Sequence, residues 1–352
     1  MDKIKQVLEK GVERIYPSKD ALEKVLKSGK KIRLYCGYDP TAPSLHIGHA
    51  ITLRKLAQFQ ELGHEVIFLL GDFTGMIGDP TDKTSARQKL TRAQVNKNLK
   101  NYEKQASKIL KFSGKNSAKV MFNSKWNDKL GFMELVDLAS NFTVQQMIVR
   151  DMYRERIKKN RPIYLHEFLY PLIQGYDSVA MDVDLEIGGK TQENVINLEI
   201  NPKEMFGKIM AWPDSLIFPG FELCTDLSID EINKIKKQKN NPRDNKARLA
   251  REIISIHHSK SAAQKAEREF NRVFKEKKTP SAVRTFKSSG KIGILDLLVK
   301  TKLAPSKSEA KRLVIQSAVK LDNRIIKDWK QKITSKKGAI LKAGKRRFVK
   351  LI

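Results

Sequence analysis

The first clear pattern along the chain is a strand, a helix and a second strand in succession. Residues 32–38 (IRLYCGY) alternate apolar and polar positions, which predicts a strand. Residues 49–63 (HAITLRKLAQFQELG) have helical spacing of their apolar side chains and end at Gly63. The apolar run 65–72 (EVIFLLGD) predicts a second, fully buried strand. A strand, crossover helix and strand of this kind belong to a parallel sheet with helices on both faces, so this part is predicted to be α/β.

Helical patterns dominate the rest of the chain up to a basic end. They cover most segments from residue 87 to about 185, and nearly all of residues 202–274. Residues 275–291 (KEKKTPSAVRTFKSSGK), rich in Lys and Ser, predict a linker. We therefore expect a Rossmann-like, doubly wound α/β domain over residues 1–200, an α-helical domain over 201–280 and a small basic domain over 286–352.

Charge indicates the kind of partner. The chain carries 69 Lys plus Arg against 39 Asp plus Glu, a formal net charge of +30. Residues 286–352 hold 19 of the basic and only four of the acidic residues, which is half of the net charge. This excess predicts a polyanionic partner, with nucleic acid as the first candidate and a membrane surface as the alternative.

The sequence argues against a membrane, a disulfide framework and a zinc site. No apolar run approaches the length of a membrane span, and the N-terminus (MDKIKQVLEKGVERI) has charges where a signal peptide needs apolar residues. We expect a soluble, cytoplasmic protein. Cys36 and Cys224 stand in unrelated contexts without a CxxC or a Cys/His cluster, which favours two incidental thiols.

Candidate chemistry begins where the first strand meets the first helix, in Pro-Thr-Ala-Pro-Ser-Leu-His-Ile-Gly-His at positions 40–49. Ligands of doubly wound sheets bind at this carboxyl end, and a helix N-terminus there favours phosphate. His46 and His49 are three residues apart and face the same side of the helix, while Gly48 allows a base or ribose to approach closely. On spacing alone, a partly exposed helix start is the alternative.

The wider segment YCGYDPTAPSLHIGH resembles the signature of class I aminoacyl-tRNA synthetases, and specifically of the bacterial-type tyrosine enzymes. The resemblance implies that His46, His49 and Thr41 hold the ATP phosphates and stabilise charge as pentavalent phosphorus forms. It also implies that Gly37 and Asp39 border the nucleotide and the amino acid, with Gly48 in the ATP site. The amino acid's own carboxylate attacks the α-phosphate, so no side-chain nucleophile is required.

Three further stretches resemble the tyrosine enzymes: residues 71–80, 83–87 and 167–177. Tyr170, Gln174 and Asp177 stand at i, i+4 and i+7 on one face of a largely apolar helix. The resemblance implies that Asp79, Tyr170 and Gln174 receive the α-ammonium group of tyrosine, while Tyr35 and Asp177 hydrogen-bond its phenolic hydroxyl. Phenylalanine would leave that polar pair without a partner. The same pair argues against a tryptophan enzyme, the nearest neighbour.

Lys83 and Arg87 form a basic pair at i and i+4. The resemblance would place them near the pyrophosphate or the acceptor end of tRNA. A solvated basic helix face is the equally weighted alternative.

The basic end resembles a small α+β RNA-binding fold first known from a small-subunit ribosomal protein. The resemblance rests on residues 294–298 and on LAPSKSEAKRLVIQSAVKLDNRIIKD at 303–328. A cluster at the start of one helix would contact RNA phosphates, with a solvated basic helix as the alternative: Ser306, Lys307, Ser308, Lys311 and Arg312. The expected partners are tRNA(Tyr), L-tyrosine and ATP with Mg²⁺, without a protein-bound metal. The family also implies an anticodon-reading helical domain and a homodimer with residues 142–157 in or near its interface.

One departure from the family follows Gly189. The tyrosine enzymes continue there with Asp-Gln, a helix, a strand and a mobile Lys-Met-Ser-Lys-Ser/Thr loop, but here Lys190 follows at once. Lys190 then corresponds to the second lysine of the loop, catalytic and ATP-binding together with Gly188 and Gly189. A missing crossover helix and strand amount to about 30 residues or more. We expect residues to be absent from this sequence at the junction, with a Cα separation above the ~3.8 Å of a trans peptide. A genuine deletion would instead indicate a catalytically inactive RNA-binding relative.

Overall fold

The chain folds into two compact units, Met1–Gln264 and Lys265–Ile352, whose boundary falls inside one helix. This computed structural model describes residues 2–78, 90–189, 196–238, 240–274, 284–287, 290–322, 324–334, 338–344 and 347–352. The expected boundary at residue 200, between a catalytic and a helical domain, stays a prediction.

The first unit is built on a parallel sheet of four strands in the order β3-β2-β1-β4. Its strands are β1 Arg33–Tyr38, β2 Glu65–Leu70, β3 Lys119–Phe122 and β4 Leu185–Glu186. The two strands expected from the sequence are β1 and β2, and the predicted α/β class with a parallel sheet is confirmed. β3 lies in a stretch predicted to be mostly helical. Most of this stretch is helical as predicted, and β3 is a short exception that forms by pairing with β2, which is distant in sequence.

Helices make up most of the remaining elements of the first unit. They are α1 Lys3–Glu9, α2 Lys19–Lys27, α3 Ile47–Glu61, α4 Thr74–Ile77, α5 Arg92–Leu99, α6 Tyr102–Ala106, α7 Ser124–Asn127, α8 Phe132–Ser140, α9 Val144–Ile148, α10 Asp151–Lys158, α11 Leu165–Ala180, α12 Pro202–Met210, α13 Ile217–Cys224, α14 Ile229–Lys237, α15 Pro242–His257 and α16 Lys260–Phe274. The last of these crosses into the second unit. Among the helices described, none is long and apolar enough to span a membrane.

In the first unit α3 packs on β1 and β2, and Tyr35, Ile67, Leu69 and Met181 form a buried cluster of the core. β2 is buried along almost its whole length, as its apolar sequence predicted. Leu53 and Leu56 of α3 are fully buried. After α3 the chain turns at Gly63, whose φ of 90° is a conformation that glycine adopts without strain. This packing fixes the start of α3 at the carboxyl end of β1.

The second unit combines two helices with two sheets. A five-stranded sheet has the order β5-β11-β10-β7-β8, and a two-stranded sheet joins β6 to β9. Its elements are β5 Arg284–Phe286, β6 Lys291–Gly293, α17 Ile294–Lys300, α18 Lys307–Ile315, β7 Val319–Leu321, β8 Arg324–Ile325, β9 Lys332–Thr334, β10 Ile340–Ala343 and β11 Arg347–Leu351. The α+β prediction is confirmed. The predicted linker was wrong at β5 and β6, because β5 pairs in parallel with β11 and β6 pairs with β9.

Candidate active site

His46 and His49 form a compact pair at the N-terminus of α3. His46 is the N-cap, and its Nδ1 accepts a hydrogen bond from the backbone N–H of His49 over 3.4 Å. The Nδ1 of His49 accepts in return from the backbone N–H of His46 over 3.2 Å. The two rings are stacked with centroids 3.6 Å apart. The two imidazoles therefore cap the helix reciprocally.

This arrangement sets the protonation of both rings. Burial lowers the pKa of His46, and burial together with the neighbouring His46 lowers the pKa of His49 to about 3. Both imidazoles are therefore neutral at physiological pH. Because each Nδ1 accepts a hydrogen bond, the proton of each neutral ring resides on Nε2, where it can be donated. The start of α3 thus offers two neutral N–H donors beside a helix N-terminus.

Gly48 has a packing role that the sequence did not indicate. A Cβ at this position would lie 3.0 Å from two ring atoms of His46. Glycine therefore gives the His46 ring room to fold back over the first turn of α3. The expected close approach of a nucleotide at Gly48 stays a prediction.

Asp39 connects three elements at the carboxyl end of the sheet. Its Oδ1 accepts from the Thr74 hydroxyl over 2.6 Å, and its Oδ2 accepts from the Tyr170 hydroxyl over 2.8 Å. Asp39 follows β1, Thr74 begins α4, and Tyr170 lies in α11. A Cβ on Gly71 would lie 1.9 Å from Asp39 Oδ1 and 2.4 Å from Thr74 Oγ1. The hydrogen bond between Asp39 and Thr74 can therefore form because Gly71 has no side chain.

Asp177 and Tyr35 are both buried, and each has its own hydrogen-bond partners. Asp177 is 3% exposed, and burial raises its pKa against the lowering effect of three N–H donors. The Tyr35 hydroxyl is 2.8 Å from the Ser178 hydroxyl. Burial and the nearby charge of Glu186 raise the pKa of Tyr35, so its phenol remains neutral.

The donors to Asp177 form a group that sequence analysis missed. They are the Asn123 amide at 3.0 Å, the Trp126 indole at 2.7 Å and the Asn127 amide at 3.0 Å. All three lie on α7 or just before it, directly after β3. Asn123 also donates to Thr74 and accepts from the Phe73 backbone. The only local signal was an Asn-Ser-Lys-Trp-Asn run with no recognised motif, and its position became meaningful only once β3 placed it against α11.

The remaining predicted residues of this edge are spread around it. Gln174 donates to Glu186 on β4 over 2.8 Å, on the exposed side of α11. The Thr41 backbone N–H donates to the Asp39 carbonyl over 2.8 Å. Gly37, Gly188 and Gly189 are exposed along β1 and just after β4. Asp79, Lys83, Arg87 and Lys190 lie outside the described residues, and with Lys190 so does the predicted Cα separation at the junction.

The described chain continues at residue 196, where it pairs with the segment that contains His46. The Ile47 N–H donates to the Ile196 carbonyl over 2.9 Å, and the Leu198 N–H donates to the Leu45 carbonyl over 3.0 Å. His46 and Asn197 form an isolated antiparallel bridge. Residues 196–198 are therefore fixed beside the start of α3.

The basic cluster of the second unit extends along α18: Ser306 and Lys307 stand at its start, where the sequence predicted the whole cluster, but Arg312 lies in its last turn. Ser306 is the N-cap and accepts from the Glu309 N–H over 3.2 Å. Lys307 pairs with Asp296 at 2.7 Å, and Arg312 pairs with Glu309 at 2.9 Å. The Lys311 ammonium lies 4.2 Å from the centre of the Trp329 ring. All four side chains, like that of Ser308, are exposed. Surface ion pairs of this kind are weak enough to exchange for phosphate.

Comparison with known proteins matches both units. Residues 27–201 match the family described as tRNA synthetases class I (W and Y), and residues 269–351 match the tyrosine–tRNA ligase SYY-like C-terminal domain. The chain resembles the C-terminally truncated Aspergillus nidulans mitochondrial tyrosyl-tRNA synthetase with a TM-score of 0.66 and 22% identity, covering 77% of this chain and 94% of that one. At this identity the structural likeness concerns the fold alone. Fold, histidine motif and family match together define a class I aminoacyl-tRNA synthetase.

Relatives along the whole length narrow this class. The tyrosine–tRNA ligase 2 of Clostridium acetobutylicum is 39% identical over 394 residues, covering 99% of this chain and 98% of the relative. The enzyme of Carboxydothermus hydrogenoformans is 40% identical over 401 residues, covering 99% and 97%. The chain belongs to the tyrosine–tRNA ligase family.

Proposed function

We propose that this chain activates L-tyrosine with ATP and transfers the tyrosyl group to the 3′ end of tRNA(Tyr). A carboxylate oxygen of tyrosine forms a bond to the α-phosphorus of ATP, while the bond from that phosphorus to the bridging oxygen breaks and pyrophosphate leaves. A hydroxyl of the terminal ribose of tRNA then attacks the tyrosyl carbonyl, and AMP leaves. The sequence similarity to tyrosine–tRNA ligases, which extends over nearly the whole chain, supports both steps.

The observation that best supports tyrosine as substrate is that the Asp177 carboxylate and the Tyr35 phenol are both buried and interact electrostatically. A phenolic hydroxyl placed between them could donate to Asp177 and accept from Tyr35. The three N–H donors from Asn123, Trp126 and Asn127 fix the carboxylate, so it need not reorganise when the substrate binds. Phenylalanine would desolvate these polar groups without pairing them, which provides the selectivity.

We assign the phosphates to the start of α3. The Nε2–H donors of His46 and His49 are neutral, so they add hydrogen bonds as charge develops on the α-phosphoryl oxygens and do not lock the ground state. Thr41, the exposed glycines 37, 188 and 189, and Lys190 complete the proposed ATP site, with Gly48 at the nucleotide. Mg²⁺ accompanies ATP and neutralises part of its charge when bound; we propose no metal ion held by the protein alone.

We assign the α-ammonium group of tyrosine to Tyr170, Gln174 and Asp79. The Tyr170 hydroxyl is held by Asp39, which orients its oxygen as an acceptor for a cation. Gln174 lies one turn further along α11 and contacts Glu186, which adds negative charge at this end of the pocket. Lys83 and Arg87 keep their proposed place near pyrophosphate or the tRNA acceptor end.

We propose that the second unit binds tRNA by its backbone. Ser306, Lys307, Lys311 and Arg312 would contact phosphates and position the RNA without reading its sequence. Removing residues 286–352 should weaken tRNA binding and flatten its salt dependence, because fewer counterions are released, and should leave adenylate formation nearly intact. An unchanged slope of log Kd against log salt would refute this role. Anticodon reading is left to the helical region 201–280.

A homodimer is supported by exposed apolar side chains on α8 to α11. Phe132, Val144, Val149 and Leu165 are 65–84% exposed, which is unusual for a surface facing only water. Val149→Glu should shift the protein to monomers in light scattering, while Ile315→Glu on the exposed face of α18 serves as the control. If both variants keep the oligomeric state of the wild type, the proposed interface is wrong.

We also propose a cytoplasmic location.

Tyrosine-dependent exchange of pyrophosphate into ATP tests the main proposal. Asp177→Asn should lower kcat/KM for tyrosine by roughly 10- to 100-fold, since a hydrogen bond to a charged group is lost. Asp182→Asn is the matched control. Asp182 lies just after α11, its side chain is exposed, and asparagine tolerates its φ of 50°. Equal activities of the two variants would remove the assignment of Asp177.

A catalytically inactive RNA-binding relative is the second candidate. One observation favours this candidate. The alignment with the Clostridium relative spans 394 residues, whereas this chain has 352 residues, so part of the relative has no counterpart here. If the purified 352-residue chain binds tRNA but supports no pyrophosphate exchange at saturating tyrosine and ATP, this candidate replaces the first.

A further inference from the structure

The five-stranded sheet of the second unit has one face that carries the core of the unit. On β10 the buried residues Leu341 and Ala343 alternate with the half-buried Ile340 and Lys342. Leu341 and Ala343 belong to one buried cluster with apolar side chains of α17 and α18. Because side chains alternate between the two faces of a strand, both helices pack on the side of Leu341. Lys342 therefore lies on the face that points away from the core.

Cross-strand pairing joins the side chains of this outward face into one surface. Lys342 is paired with Phe348 on β11 and with Lys320 on β7. Neither Phe348 nor the two lysines are buried. Further residues on the same side of their strands complete a surface that we call the basic sheet face: Lys320, Ile325, Ile340, Lys342, Phe348 and Lys350.

The basic sheet face has an excess of positive charge. Lys320 and Lys342 are direct cross-strand neighbours, and like charges in this arrangement cost stability. Within the described part of the chain, no ion pair joins these two lysines or Lys350 to an acidic residue. Asp322 lies at the border of the face, where its carboxylate accepts a hydrogen bond from the backbone N–H of Ile340 over 2.8 Å. A polyanion bound to this face would remove the repulsion between the lysines.

Phe348 adds an aromatic ring to this positive surface. The Lys342 ammonium lies 5.0 Å from the centre of the Phe348 ring, which is within the range of a cation–π contact. Such a contact at an exposed site is worth about 0.5–1 kcal/mol, whereas stacking of a nucleobase on an aromatic side chain contributes about 1–3 kcal/mol. A base can therefore displace the ammonium group from the ring, and the ammonium group is then free to contact a phosphate.

We propose that the basic sheet face binds unpaired nucleotides of the tRNA, with a base stacked on Phe348 and with the lysines on the neighbouring phosphates. This inference rests on the proposed role of the second unit in tRNA binding. It adds a surface on the side of the sheet opposite to α18. Paired bases in a duplex have no free face for stacking, and an acidic protein or an anionic lipid surface would use the lysines alone. An unpaired RNA segment uses both the ring and the charges.

Binding of fluorescently labelled RNA to the full 352-residue chain tests this inference. The probes are a single-stranded RNA of about a dozen nucleotides and the same RNA annealed to its complement. Phe348→Leu removes the ring and keeps an apolar side chain, whereas Phe348→Trp keeps an aromatic ring. We expect Phe348→Leu to weaken single-strand binding by roughly 10- to 100-fold without affecting duplex binding, and Phe348→Trp to bind like the wild type. Equal affinities of the two variants for the single strand would overturn the inference.

The salt dependence of binding tests the lysines, and it also covers the case in which Phe348→Leu does not fold. Lys342→Gln should reduce the magnitude of the slope of log Kd against log salt by about 0.7 for the single strand, because one phosphate contact is lost. Phe348→Leu should leave this slope unchanged, since stacking involves no charge. Lys3→Gln, at an exposed position of α1 in the first unit, is the control. The inference is wrong if Lys342→Gln and Lys3→Gln have the same slope.

An acidic protein as the occupant predicts a different result. Polyaspartate serves as the probe for this alternative. If Phe348→Leu binds both polyaspartate and single-stranded RNA as tightly as the wild type, while Lys342→Gln weakens the binding of both, the face recognises negative charge alone. That outcome would overturn the proposal of a stacked nucleotide.

Pyrophosphate exchange separates this inference from the proposed function, because exchange requires no tRNA. Normal tyrosine-dependent exchange together with unchanged RNA binding in Phe348→Leu would overturn the role of the basic sheet face and leave tyrosine activation intact. Weaker single-strand binding by Phe348→Leu in a chain that supports no exchange would support the basic sheet face and count against tyrosine activation.

Discussion

Trp126 donates its indole N–H to the carboxylate of Asp177 across 2.7 Å, joining α7 to the C-terminal part of α11. The bond crosses 51 residues of sequence and ends on a carboxylate that is 3% exposed. Since Asn123 and Asn127 donate to the same group, the oxygen atoms that face the proposed substrate are fixed by side chains that do not themselves belong to the family signature.

Replacing Trp126 by Phe should therefore affect tyrosine recognition. The ring keeps most of the packing, but Asp177 loses one donor, and we expect kcat/KM for tyrosine to fall by roughly tenfold or more. KM should carry most of the change, because the donor acts on binding and not on phosphoryl transfer. Pyrophosphate exchange at varied tyrosine measures both constants. Trp212→Phe, in the segment after α12, is the control, and a matching loss in that variant would exclude a specific role for Trp126.

His46 can be tested without destroying the helix it begins. Asn is a good N-cap residue, so His46→Asn keeps an acceptor for the backbone N–H of His49 while removing the Nε2–H donor. We expect adenylate formation to drop by about 10²- to 10³-fold, the typical effect of losing one donor to developing charge. Ser18→Asn at the N-cap of α2 provides the comparison. Full activity in His46→Asn would mean that the ring serves the helix and not the phosphates.

Local patterns carried much of the fold. The alternation in β1, the helical spacing of α3 and the apolar run of β2 are properties of short segments, and the structure has all three in the expected places. The sequence patterns did not predict β3 and β5, because each strand is short and forms by pairing with a strand that is far away in sequence. The same reason explains the missed donors Asn123 and Trp126, whose importance depends on the contact between α7 and α11.

The site followed a similar division. The sequence placed His46 and His49 on one side of a helix start, but it could not show that the rings cap the helix and stack on each other. It also indicated Gly48 as an open approach for a ligand, where the structure adds the folded-back His46 ring. Such details depend on side-chain conformation and burial, which sequence spacing does not specify.

Gly71→Ala should be severe for a methyl group. The added Cβ would lie within 2.4 Å of both Asp39 Oδ1 and Thr74 Oγ1, so the hydrogen bond that links β1 to α4 must break or shift. We expect a loss of about 1–3 kcal/mol of stability from overpacking and a marked loss of tyrosine activation. Gly207→Ala in α12 is the matched control, because its Cβ meets nothing within 4 Å and should stabilise the helix by roughly 0.5–1 kcal/mol. Thermal unfolding and pyrophosphate exchange are measured for both variants. Equal stabilities would show that Asp39 and Thr74 can move to accommodate the added methyl group.

His257 at the end of α15 predicts how stability depends on pH. It is 1% exposed, neither ring nitrogen has a partner among the described residues, and burial, together with the positive charges of Arg54 and Lys108, lowers its pKa to about 3. In the unfolded chain the ring binds a proton near pH 6.5, so between these values the unfolded state holds more protons and stability falls as the pH falls. The free energy of unfolding should therefore decrease between pH 7 and pH 5 by about 2 kcal/mol more in the wild type than in His257→Leu. Leucine removes the titrating ring and leaves the carboxylates common to both proteins, so chemical unfolding at the two pH values isolates the histidine. Parallel pH dependences in the two proteins would mean that His257 takes up its proton equally in the folded and unfolded states.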